Sequence, residues 1–106
     1  MKTIAMLELK NLLGKLGTNE VILDVREPDE FAAGHVPGSR NIPHEEVTKH
    51  ADELRKLKTI YVHCMGGGRA GRASEALSKL GLTNIVCISG SGMRDWLAAG
   101  LPVEKK

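Results

Sequence analysis

The feature that most constrains this chain is an alternation. Three short β-branched runs, Val21 to Val25, Thr59 to His63 and Asn84 to Ser89, are separated by stretches in which apolar residues recur at helical spacing. Runs of this length are too short for free-standing helices and suit strands buried on both faces. Strands separated by helices predict an α/β domain on a mostly parallel sheet, because parallel neighbours need a crossover between them.

The intervening stretches name their own helices. Leu7, Leu9, Leu12, Leu13 and Leu16 form an apolar stripe, with Gly17 expected as its cap. Pro28 to Ala33 starts with proline and two acids, which suit the positive end of a helix, and stops at Gly34. Arg40 to Ile42 reads as a brief extended piece, followed by a polar helix from about Glu45 to Leu57. Ala70, Ala73, Ala76, Leu77 and Leu80 mark a helix ending at Gly81, and Met93 to Ala99 marks a last, short one.

One segment carries chemistry: Cys64, Met65, Gly66, Gly67, Gly68 and Arg69, at the junction of a strand and a helix. Three consecutive glycines cost order. Their physical use is to reach φ > 0 and to converge backbone N–H groups into an anion-binding nest at a helix start. Such a nest favours Cys64 as thiolate and equally stabilises an anionic persulfide. Adjacent strand residues face opposite ways, so His63 is expected to point away from the Cys64 side chain. Arg69 stays charged and can offer two parallel hydrogen bonds to an anion or, alternatively, pair on the helix surface.

Composition removes other classes. With 106 residues and 42% hydrophobic content the chain suits one domain, residues 1–106, and a monomer is expected. A net charge of +2 is no nucleic-acid footprint, and no apolar run approaches the roughly 18 residues that span a bilayer. With no secretory signal evident, a cytoplasmic location follows, and Cys64 and Cys87 are expected as free thiols. Four histidines, His35, His44, His50 and His63, stand at no metal-ligand spacing, so neither metal nor cofactor is expected.

Three ordered segments resemble the rhodanese superfamily. Leu23 to Phe31 followed by Gly34 to Ser39 and Asn41 to Pro43 looks like its N-terminal signature. Cys64 to Arg69 is similar to its active-site loop, and Gly90, Gly92, Met93, Trp96 and Ala99 to Val103 are similar to its closing signature. The resemblance implies a three-layer α/β fold around a mostly parallel five-stranded sheet. It also implies a sulfurtransferase in which Cys64 takes sulfane sulfur from a small anionic donor such as thiosulfate. The sulfur then passes to a thiol or cyanide, or to a protein acceptor. Under that resemblance Met65, Gly66, Gly67, Gly68 and Arg69 hold the persulfide, and Asp24 and Arg26 support the loop. The other role for Arg26 is an i,i+4 pair with Glu30. Two departures stand out: Ser91 separates Gly90 from Gly92, and residue 70 is Ala70 where a small hydroxyl is common.

Two rivals remain. A related phosphatase brackets its loop with Cys and Arg but carries five intervening residues, one more than lie between Cys64 and Arg69 here. A non-catalytic or sulfur-carrier binding domain could share the fold without the reaction.

Overall fold

In the computed structural model, which describes residues 1–106, the β-branched runs become the centre of a five-stranded sheet. Strands β1 (Lys2–Ile4), β2 (Glu20–Asp24), β3 (Arg40–Asn41), β4 (Thr59–His63) and β5 (Ile85–Ile88) lie in the order β1-β5-β4-β2-β3. Every pairing is parallel. Four helices follow the strands: α1 (Pro28–Ala33), α2 (Ala51–Arg55), α3 (Gly68–Lys79) and α4 (Met93–Ala98).

Helices cover both faces of the sheet, giving the expected three layers. On one face Leu23, Val25, Ile60, Val62, Cys64 and Cys87 pack with Leu54 of α2 and Ala70, Ala73 and Leu77 of α3. On the other, Ile22 and Ile88 pack with Met6, Leu9, Met93 and the fully buried Trp96. Alternation along β4 therefore sends Cys64 to the α3 side and Tyr61 to the α4 side.

Several boundaries differ from the sequence reading. Met6–Leu12 is a 3-10 helix, not an α-helix running to Leu16. Its buried residues, Met6 and Leu9, are three apart, the period of a 3-10 turn, while Leu7 is exposed. The left-handed glycine after it is Gly14, at φ 75°, not Gly17. The stretch predicted as one helix from Glu45 to Leu57 is a 3-10 turn, Val47–His50, continuing into the short α2. β1 was not anticipated; it is a strand because β5 offers it a ladder. The cap at Gly81 does form: at φ 91° it lets Leu82 N–H reach the Leu77 carbonyl and its own N–H reach Ser78. The C-terminal tail is also ordered, since His35 and Glu104 exchange backbone hydrogen bonds of 2.9 Å.

Strand order fixes where a ligand can sit. After β2 the chain crosses to β3 on one side, and after β4 it crosses to β5 on the other. The crevice between the carboxyl ends of β2 and β4 is therefore a topological switch point, the usual place for a site in an open parallel sheet. Cys64 follows β4 there, and Arg26 follows β2.

Candidate active site

Cys64 emerges at the carboxyl end of β4 and α3 begins at Gly68, leaving Met65, Gly66 and Gly67 to make the turn. The sulfur accepts two backbone hydrogen bonds, from Gly67 N–H at 3.1 Å and Ala70 N–H at 3.3 Å. The Ala70 amide belongs to the first turn of α3, where no intrahelical acceptor exists. Cys64 Sγ thus takes the place of a capping oxygen, at the end of the helix that favours negative charge.

The three glycines do not act alike. Only Gly67 uses the left-handed region, at φ 117°, and a Cβ there would lie 3.1 Å from Gly90 N. Of the loop amides expected around the sulfur, Gly67 reaches it, whereas those of Met65, Gly66, Gly68 and Arg69 make no hydrogen bond to it. The second donor, Ala70, lies one residue beyond the expected set. It has no side-chain hydroxyl to offer, and its backbone N–H contributes instead.

The closing segment presses on this loop from behind. A Cβ on Gly92 would fall 2.4 Å from the Cys64 carbonyl oxygen and 2.5 Å from that of Met65, so only glycine fits. That approach allows Met93 N–H to reach Cys64 O at 2.8 Å and Arg94 N–H to reach Met65 O at 3.1 Å. Ser91, the departure beside it, has a structural use: its hydroxyl accepts Met6 N–H and donates to the Ser89 carbonyl. The glycine pattern pointed to Gly92, but nothing in the sequence marked Arg94.

Arg69 is not a free cation. Its Nη1 and Nη2 meet the two oxygens of Glu30 at 2.6 and 3.1 Å, joining the start of α3 to α1. The Arg69 guanidinium holds the Glu30 carboxyl below its ordinary range, and Glu30 in turn makes Arg69 harder to deprotonate. Glu30 also accepts the Glu27 N–H.

Arg26 does not pair with Glu30. It turns back to Asp24, at 2.8 Å with both side chains buried, and donates to the Gly34 carbonyl. The Asp24 carboxylate also accepts Arg26 N–H, so the pair fixes the chain as it leaves β2. Arg26 lines a cavity of about 250 Å³ with Glu30, Gly34, Met65 and Leu97, which places it beside the loop without touching the sulfur.

His63 faces Asp24 across the β2–β4 ladder, on the side of the sheet away from the Cys64 side chain. It is fully buried, and loss of hydration pushes its pKa down, against the opposing pull of Asp24. Its Nδ1 lies 3.3 Å from the Cys64 carbonyl, an acceptor only, so Nδ1 carries the proton in that bond. His63 braces the Cys64 backbone and is no base for its thiol. Cys87, buried within β5, is core.

One grouping escaped any sequence spacing: ligand-type atoms of Glu27, His44 and Glu45 lie within 4.8 Å of one another. Desolvation first, and then Glu45, raise the Glu27 carboxyl above its usual range.

The resemblance implied a thiol held by loop amides, and the structure gives a thiol held by Gly67 and by Ala70 at the start of α3. The profile of the Rhodanese-like domain matches residues 6–99. An uncharacterized Bacillus subtilis protein, YqhL, is 41% identical over 75 residues, covering 71% of this chain and 59% of its own length. The chain thus spans less than two thirds of that relative. The Thiosulfate:glutathione sulfurtransferase of Saccharomyces cerevisiae is 32% identical over 109 residues, covering 88% of this chain and 76% of its own. Among solved structures, a rhodanese-related protein from Thermoplasma volcanium superposes over 100% of both chains with a TM-score of 0.82 at 34% identity. Loop, fold and sequence together make this chain a member of the rhodanese-like domain family.

Proposed function

We propose that the protein is a sulfurtransferase that carries sulfane sulfur as a persulfide on Cys64. The observation that carries this reading is the pair of amides, Gly67 and Ala70, aimed at Cys64 Sγ from the start of α3. Such donors stabilise an anionic sulfur whether it is the thiolate or the outer atom of a persulfide.

With thiosulfate as donor, the Cys64 thiolate attacks the outer sulfur. A new S–S bond forms, the donor's S–S bond breaks, and sulfite leaves with its electron pair. A thiol or cyanide then attacks the outer persulfide sulfur, and the Cys64 thiolate departs. No side-chain base is needed for either displacement, which fits a site where His63 is turned away. Asp24, Arg26 and the Arg69–Glu30 pair serve as supports that keep the loop in shape.

The loop argues against phosphate ester hydrolysis. Four residues between Cys64 and Arg69 leave a small cradle already filled by the sulfur and its two amides, and Arg69 is committed to Glu30. The test is intact mass spectrometry of wild type and Cys64→Ser after thiosulfate treatment, followed by cyanide and thiocyanate detection. Wild type is expected to gain one sulfur and release it as thiocyanate, and the serine variant to do neither. Loading of both proteins, or of neither with thiosulfate or glutathione persulfide, would remove the reading.

A further inference from the structure

Most arginines here are spoken for. Arg26, Arg40, Arg55 and Arg69 each reach a carboxylate, but Arg72 and Arg94 have neither an ion pair nor a side-chain hydrogen bond. Both unpaired guanidiniums lie against the loop. A Cβ on Gly68 would sit 3.8 Å from Arg72 Nη1, a single grazing contact. A Cβ on Gly66 would sit 3.5, 3.6 and 3.7 Å from Nη1, Nη2 and Cζ of Arg94. Three nearly equal distances mean that the Arg94 guanidinium lies flat over the vacant side-chain position of Gly66.

The placement is built rather than incidental. Arg94 is fixed at its backbone, where its N–H meets Met65 O at 3.1 Å, and at the neighbouring Trp96, which is fully buried. The nearest acid in sequence, Asp95, is turned to the Gly92 amide at 2.8 Å and does not neutralise it. Gly66 is bonded to Gly67, the residue whose amide holds the sulfur. Cys64 is only 1% exposed, so an incoming donor is met first at the rim of the loop. At that rim stands an exposed, unpaired guanidinium.

We propose that Arg94 recognises the SO₃ end of a thiosulfate donor and so sets this site's preference among sulfur donors. The inference rests on the sulfurtransferase reading and deepens it. A guanidinium offers planar, paired N–H donors that stay charged, matching the oxygens of a sulfonate. In the transfer, Cys64–S⁻ and ⁻S–SO₃⁻ give Cys64–S–S⁻ and SO₃²⁻, so negative charge gathers on the oxygens that Arg94 faces. Arg69, the cation that the sequence placed in that role, already has its charge met by Glu30.

The test compares thiosulfate with methanethiosulfonate, which delivers the same sulfur but has a methyl group in place of one anionic oxygen and releases methanesulfinate. Persulfide formation on Cys64 is followed by mass for wild type, Arg94→Ala, Arg94→Lys and Arg72→Ala. Losing a charge-assisted contact of about 1.4 kcal/mol should cut the kcat/KM preference for thiosulfate roughly tenfold in Arg94→Ala. Arg94→Lys is expected to keep part of it. Thermal unfolding of both Arg94 variants should match wild type, since the side chain is exposed. An unchanged preference, an equal slowing with both donors, or the same loss in Arg72→Ala would overturn the assignment. A wild type that loads from neither donor would instead bring down the sulfurtransferase reading itself, and this inference with it.

Discussion

At the scale of single residues, the site is governed by which groups are already paired. His63 shows the consequence most directly, because burial lowers its pKa in the folded chain while the unfolded chain keeps the ordinary value of 6.5. Between that value and the depressed one, the unfolded state binds more protons. The stabilising contribution of neutral His63 is therefore complete above pH 6.5 and is lost as pH falls through the folded pKa. Denaturant unfolding at pH 7.5, 6.5 and 5.5 should show stability falling on the acid side by up to about 1.4 kcal/mol per pH unit from this one group. His63→Gln is expected to flatten that slope whatever it does to the baseline; an unaltered slope would remove His63 as its source. Cys64 and its loop were legible as residues because a thiol beside three glycines is rare chemistry. Arg94 was not, because an exposed arginine looks the same in sequence whether it faces open water or the rim of a site.

At the scale of elements, recognition followed burial. β4, α3 and α4 were readable because their apolar residues repeat at the period of the structure they adopt, and α3 carries its own stop at Gly81. β1 was not, since Lys2, Thr3 and Ile4 hold no internal pattern and gain their form from β5. The 3-10 helix at Met6–Leu12 misled for the opposite reason: its leucines continue as a stripe in which Leu12, Leu13 and Leu16 do pack on the core, but only Met6 and Leu9 are fully buried and the regular turn stops at Leu12. The contact between α4 and the active loop is the element pairing most open to test. Gly92→Ala inserts a methyl where two carbonyl oxygens already stand 2.4 and 2.5 Å away, so loop and helix must part. A loss of about 1–3 kcal/mol or more in denaturant stability is expected, together with loss of sulfur loading. Wild-type stability in that variant would mean that the close approach of the two backbones is not required.

At the scale of the whole molecule, the parallel sheet follows from chain order, which is why an α/β class could be anticipated from alternation, whereas the five strands and three layers were implied by the family resemblance. Strand order could not be anticipated, because nothing local in β1 or β3 says which neighbour each will find. That order puts β5, whose residues Ile85 to Ile88 are all buried, one strand from the boundary of the sheet. Its outer side is covered by β1, a strand of three residues of which two are exposed.

Removing residues 1–5 would leave the sulfur cradle in place and turn β5 into an open apolar edge, a template for pairing with other chains. Light scattering at rising concentration should show more self-association for the trimmed protein than for the intact chain, while its smallest species still loads sulfur. A trimmed chain that stays dispersed would show that β1 is dispensable as a cover. The persistence of this protein in solution would then be governed at the edge of the sheet and its chemistry at the centre, with a handful of N-terminal residues outside the sulfur cradle serving to keep molecules apart.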